Sequence, residues 1–242
     1  MNPTTQVSAS LSGWTGNIFR FWLPEHVGVL WNNWTPEDAH QDFASTATKG
    51  LKWSFQRRAT ARVEIDIEPQ HRTLHIESKV ENHSSSNLSD VTVNVCLQLS
   101  QAPDFACDDF SRIFIRTDAD WKPLKRLNPT TDYPQYLAPD LYCTHNDIRW
   151  GTALPELNED VVADHPLIVY LSKKGDRAVG TASSDFQYLF HNRANEHLLC
   201  MHSQQRPVGT LEPGTVASFN QKVYFVEGGV AECVSAFAND PV

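Results

Sequence analysis

The chain has 242 residues, 40% of them hydrophobic, and its 20 Lys+Arg against 29 Asp+Glu leave a net charge of −9. The apolar share is enough for a core and excludes general disorder. The acidic balance argues against nucleic acid and against an anionic membrane surface as partners. No apolar run approaches the roughly 20 residues of a membrane span. Residues 1–12, MNPTTQVSASLS, lack a basic cluster and an apolar h-region, so no signal peptide is expected. The five cysteines are odd in number, widely spaced and free of any CxxC pair, which points to a reducing, cytoplasmic location and away from zinc ribbons. Cys96 and Cys200 lie in apolar alternating segments and read as buried free thiols.

In chain order, five tryptophans fall in the first 53 residues. Thr35-Pro36-Glu37-Asp38 carries an N-cap, a proline at N1 and first-turn acids, and predicts a helix of one to three turns from Pro36. Period-two alternation then dominates. Val63, Ile65 and Ile67 alternate with charged residues, and Leu74, Ile76 and Val80 follow a turn at Pro69-Gln70-His71-Arg72. After a polar loop at Asn82–Asn87 come Val91, Val93, Val95, Leu97 and Leu99. This spacing predicts three half-buried antiparallel strands, because a helix would scatter these residues around its circumference. Asp118–Asp147 reads as an ordered aromatic loop punctuated by four prolines. Leu167–Leu171, Arg177–Ala182, Phe186–Phe190, Leu198–Ser203 and Phe219–Val226 are further strands, and Val230–Asn239 is a second helix. No βαβ rhythm is present.

The motifs of nucleotide binding, zinc proteases and nucleophile elbows are missing. His40-Gln41-Asp42 and His145-Asn146-Asp147 share a His-x-Asp spacing that chelates an ion only on a strand. The first falls in the helix expected after Pro36. The second offers a metal-dependent enzyme as an alternative reading, against a main expectation of no metal and no cofactor. Chelation is accordingly expected to leave thermal stability unchanged. Of the seven tryptophans, Trp150 stands beside His145 at the end of the aromatic loop. With Tyr133 and Tyr136 it forms a candidate surface for stacking on a pyranose, ahead of Trp31 and Trp34. Thr92, Asn94, Cys96, Gln98 and Ser100 occupy the face opposite the valines. Amide and hydroxyl groups there match sugar hydroxyls, which both donate and accept.

Two stretches carry a family resemblance. Leu74–Asn82, its polar loop and the strand ending in Ala102-Pro103-Asp104-Phe105 resemble the central strands of aldose 1-epimerase (galactose mutarotase-like) proteins. So do Leu199–Pro207, Leu211-Glu212-Pro213-Gly214 and Lys222–Phe225, over roughly residues 58–226 in all. The resemblance implies a large antiparallel sandwich, a supersandwich, with sugar bound on a concave sheet face. In the family a late-strand glutamate is the general base and an earlier histidine protonates the ring oxygen. Here His202 stands at the glutamate position, Gln204 keeps the following glutamine, and Cys96–Gln98 supply no histidine. The family's acid–base pair is therefore not intact.

The sequence thus predicts a single all-β sandwich domain over residues 1–242 with one or two short helices. It predicts a saccharide-binding protein, small-molecule or polymeric in its ligand, with epimerase, lyase or hydrolase chemistry; a non-catalytic sugar-binding accessory protein is the alternative. His202 is the candidate base, since neutral imidazole accepts a proton near pH 7. Gln98, Gln204, Trp150, Tyr133, Tyr136 and His145 are the candidate sugar contacts.

Overall fold

The computed structural model describes residues 6–27, 39–46, 50–57, 60–106, 109–132, 134–139, 157–193 and 199–242. The strands are β1 (Gln6–Ala9), β2 (Phe19–Val27), β3 (Ala39–Thr46), β4 (Gly50–Arg57), β5 (Ala61–Gln70) and β6 (Thr73–Asn82). There follow β7 (Leu88–Val91), β8 (Val93–Gln98), β9 (Ile113–Thr117), β10 (Asp120–Pro123), β11 (Gln135–Leu137) and β12 (Leu157–Val162). The last are β13 (Ile168–Leu171), β14 (Arg177–Ser183), β15 (Phe186–Asn192), β16 (Cys200–Gln205), β17 (Val208–Leu211) and β18 (Val216–Glu227), ahead of helix α1 (Val230–Asn239).

A seven-stranded sheet runs β1-β2-β8-β16-β15-β11-β12, and a nine-stranded sheet runs β10-β9-β13-β14-β18-β6-β5-β4-β3. The antiparallel sandwich expected from the alternation is present, and β5, β6, β8 and β18 carry it as read. Val63, Ile65 and Ile67 on β5 and Val93, Val95 and Leu97 on β8 are buried in the core between the sheets. Aromatic rings close the interior near one end. Phe19 lies 5.0 Å from Phe225, and Trp14 stacks 5.7 Å from Phe105. The Trp14 indole N–H donates to Glu227 Oε1 at 2.7 Å, so this large ring fills the core without stranding its donor.

Two expectations change. Residues 39–46 form a strand rather than helix, paired along all eight residues with β4. N-cap signals at Thr35–Asp38 are local, and an eight-residue antiparallel ladder outweighs them. The Asp118–Asp147 stretch is not a continuous loop in its described part. It contains β10, a short 3-10 turn at Leu124–Leu127, and β11, whose Tyr136 pairs with Leu189 of β15. Helix α1 forms as expected. It packs on the outer face of the nine-stranded sheet, where Cys233 joins Leu167, Val169, Ala178 and Tyr224. Gly180 makes room there, since a Cβ would stand 2.6 Å from the Cys233 sulfur.

His191 on β15 is fully buried, with the Phe110 ring 5.7 Å and the Tyr170 ring 5.6 Å from its own. Burial pushes its pKa down to about 3. The unfolded chain protonates this histidine near pH 6.5 while the folded chain keeps it neutral, so stability is lost as pH falls from about 6.5 toward 3. The loss between pH 6.5 and 4.5 is expected to be about 2–3 kcal/mol. Urea melts of His191→Leu across this window should be flatter by that amount, and an unchanged slope would show that another group governs the acid limb.

Candidate functional site on the outer face of the seven-stranded sheet

Strand β2 leads into the site through an irregularity. Trp22 pairs with Cys96 and His26 with Asn94, so three residues, Leu23 to Glu25, stand opposite the single residue Val95. Phe19, Phe21 and Leu23 point into the core. Simple alternation would send Glu25 after them. Val27 beyond this irregular stretch returns to the core, while inside it Glu25 leaves the alternation and reaches the opposite face. There the Asn94 amide Nδ2 donates to Glu25 Oε2 at 3.2 Å.

His202 of β16 faces the same group. Its Nδ1 donates to Asn94 Oδ1 at 3.1 Å and lies 3.6 Å from Glu25 Oε2. That bond leaves Nε2 as the lone-pair nitrogen, 3.2 Å from Cys200 Sγ. The Phe190 ring lies 5.0 Å from the imidazole. Gln98 Nε2 donates to Cys96 Sγ at 2.9 Å. Two residues along β16, Gln204 Nε2 donates to Thr92 Oγ1 at 3.0 Å and to the Gln205 carbonyl at 3.2 Å. The other end of that amide, Oε1, is buried without a hydrogen-bond partner among the described residues.

The electrostatics follow from cover. The Glu25 side chain is 17% exposed and His202 only 1%. Burial raises the Glu25 pKa to about 7, and the Cys96 contact pulls it the other way. Burial also drives the Cys96 thiol well up, reinforced by the sulfur of Cys200. Tyr188 of β15 is raised by burial and then by the charge of Glu25, which sets its phenol near the same carboxylate.

Of the residues expected from sequence, Gln98, His202 and Gln204 fall on this one face. Tyr136 is 1% exposed and packs in the core between the sheets. Tyr133, His145, Asp147 and Trp150, with Trp31 and Trp34, lie outside the described residues. The reading of Cys96 and Cys200 as buried free thiols holds. Sequence reasoning missed Glu25 and Tyr188. A lone acid inside the aromatic run Phe19-Arg20-Phe21-Trp22-Leu23-Pro24-Glu25 was the available signal for the first.

No protein-family model matches the chain, and no curated protein does. Solved structures do. The Slr1438 protein of Synechocystis shares 9% identity and a TM-score of 0.50 over 86% of this chain and 78% of its own. The alpha-N-acetylgalactosaminidase NagBb of Bifidobacterium bifidum, solved with GalNAc, shares 11% identity and a TM-score of 0.50; 99% of this chain matches 36% of that enzyme. A galactose mutarotase related enzyme of Lactobacillus acidophilus shares 10% identity and a TM-score of 0.49 over 81% of this chain and 74% of its own. The fold is a large β-sandwich, shared at a TM-score of 0.50 with the Slr1438 protein and with part of NagBb. No helix among the described residues is long and apolar enough to cross a membrane.

Proposed function

We propose that the chain binds saccharide on the outer face of the seven-stranded sheet and acts on it with Glu25 as the proton-transfer group. The observation that carries this reading is the convergence of Glu25, Asn94, His202 and Gln204 on one face from three strands, with the Gln204 acceptor left open. A buried carbonyl oxygen without a donor is costly, and a ligand hydroxyl supplies the donor. The phenyl ring of Phe190 and the partly exposed Trp22 offer apolar surface on the same side. Fold likeness to an enzyme solved with an amino sugar agrees with the class of ligand.

The resemblance in sequence left a histidine where its family keeps a carboxylate. In this fold a carboxylate reaches the same neighbourhood from β2 instead. Both ring nitrogens of His202 already face protein partners, so its role in this reading is to hold Glu25, through Asn94, rather than to take the proton itself. Epimerase, lyase and hydrolase steps all begin with a proton transfer that such a carboxylate can perform.

Titration of a panel of mono- and oligosaccharides against intrinsic tryptophan fluorescence tests the reading. A saturable response is expected from the unmutated protein. Gln204→Leu should weaken it about 5- to 150-fold, the equivalent of about 1–3 kcal/mol for a buried group left unpaired. Glu25→Gln should keep binding within a few-fold and abolish turnover of the bound sugar, because a proton acceptor acts chiefly in the transition state. Binding without turnover in the unmutated protein would select the accessory-protein reading, and a flat response to the whole panel would overturn the saccharide reading.

A further inference from the structure

Three soft ligand atoms meet beneath this face. Cys96 Sγ, Cys200 Sγ and a ring nitrogen of His202 come from two adjacent strands, belong to buried residues, and lie within 4.8 Å of one another. The Cys200 sulfur and His202 Nε2 are 3.2 Å apart. Zinc bonds of about 2.3 Å to sulfur and 2.0–2.1 Å to nitrogen place neighbouring tetrahedral ligands about 3.5–3.8 Å apart. The trio therefore closes around such an ion with side-chain movements below about 1 Å.

The surroundings are prepared for it. Metal-bound histidine keeps its other ring N–H on an oxygen acceptor, which fixes the tautomer and aims the lone pair. Asn94 Oδ1 does this for His202 Nδ1, and the Asn94 amide is itself held by Glu25. An N–H donor stabilises thiolate, and Gln98 Nε2 already points at Cys96 Sγ. Two thiolates and a neutral imidazole cancel the charge of a divalent ion, so burying it strands no net charge. Two sulfurs with one imidazole select a borderline-soft ion over magnesium or calcium.

We propose that Cys96, Cys200 and His202 form a zinc site, with Asn94 positioning the histidine and Glu25 bordering the fourth coordination position. On binding, the two thiols give their protons to solvent and the ion takes the two thiolates and the Nε2 lone pair. The site shares Asn94, His202 and Glu25 with the saccharide reading but does not depend on it: it is tested with metal alone, and its failure leaves the sugar titration to be read by itself. It reverses the expectation from sequence that the chain holds no metal. That expectation rested on spacing along the chain, where Cys96 and Cys200 are 104 positions apart.

The test uses the full chain, purified with reductant, stripped with a chelator and titrated with Co²⁺ and then Zn²⁺. One Co²⁺ per chain should bind with thiolate-to-metal charge-transfer bands and intense visible d–d bands, and Zn²⁺ should bleach them. Cys96→Ala/Cys200→Ala should lose the bands completely while circular dichroism shows intact strands. Asn94→Ala should keep the bands and weaken affinity about 10- to 100-fold, as loss of a supporting hydrogen bond does. The wild-type titration is decisive even where a variant fails to fold, because bands of two-thiolate intensity require paired cysteines. Absence of thiolate bands, bands that survive in the double variant, or a Cys96–Cys200 disulfide found in the reductant-treated protein would each overturn the proposal.

Discussion

Val95→Asp is expected to yield no soluble folded protein. Val95 sits in the middle of β8, with β2 on one side and β16 on the other, and is 3% exposed on the core side. Its loss forfeits about 1.5–3 kcal/mol of apolar burial. The carboxylate that replaces it either stays charged without a partner or takes up a proton, and either course costs several kcal/mol more. Glu25 and Asn94 offer it nothing, because they occupy the opposite face of the strand. The combined cost approaches the whole stability of an ordinary domain, about 5–15 kcal/mol. Val216→Asp is the control. Val216 begins β18 and is 53% exposed, so the same chemical change there should alter stability by less than about 0.5 kcal/mol. Expression of both variants side by side, followed by thermal melts of whatever is soluble, checks the pair. A well-folded Val95→Asp protein would mean that the inward and outward faces of β8 are assigned the wrong way round.

That assignment is legible in the sequence alone, for a physical reason. On β5, β6, β8 and β18 one side chain in two enters the core, so hydrophobicity alone records the geometry. The same period placed Gln98, His202 and Gln204 on one face. Where the backbone departs from the period, the sequence goes silent. Glu25 is in phase with Phe19, Phe21 and Leu23 and reads as an inward residue. It reaches the outer face only because the backbone is irregular opposite Val95, and nothing in its own side chain announces that irregularity. The helix expected after Pro36 fails for a related reason: a cap is chosen by four residues, whereas a ladder is chosen by a partner strand. The meeting of Cys96 with Cys200 and His202 is more remote still. It exists because β8 and β16 are neighbours, with Cys200 opposite Gln98, although seven other strands lie between them in the chain. Spacing arguments that look for ligands within one segment cannot reach such a pair. They do succeed on Cys200-x-His202 alone, where period two puts sulfur and imidazole on one side of a strand.

Asn82→Asp is expected to destabilise the fold more than Asn82→Ala does, and to do so most at neutral pH. Asn82 ends β6 and is fully buried. Every hydrogen-bonding position of its amide is used. Nδ2 donates to the Ser86 carbonyl at 2.9 Å and to the Leu211 carbonyl at 2.8 Å. Oδ1 accepts from the Ser84 backbone N–H at 2.9 Å and from the Ser84 hydroxyl at 2.7 Å. Its backbone joins in, donating to the Thr215 carbonyl at 3.0 Å and accepting from Gly214 N–H at 2.7 Å. One side chain thus ties the polar loop after β6 to the end of β17 and to the turn before β18. Such saturation explains why asparagine stands here; Asn82-His83-Ser84 also fits the Asn-x-Ser pattern for N-glycosylation, and an amide with both N–H groups spent inside the fold has no room for a glycan. Alanine leaves the buried Leu211 carbonyl and its companions without donors, about 3–4 kcal/mol at about 1–3 kcal/mol per stranded group, with partial relief from solvent at Ser86. For a chain of this length that is about 6–16 °C in melting temperature. Aspartate replaces two donors by an anion aimed at two carbonyl oxygens, which adds repulsion to the loss. Protonating it restores one donor, so its folded-state pKa lies above the unfolded value near 3.9. The variant then regains stability as pH falls through that raised pKa. Calorimetric melts of both variants at pH 7 and pH 5 check the ordering and its pH dependence. Melting temperatures within 2 °C of the parent would show that water replaces the amide and that the loop holds without it.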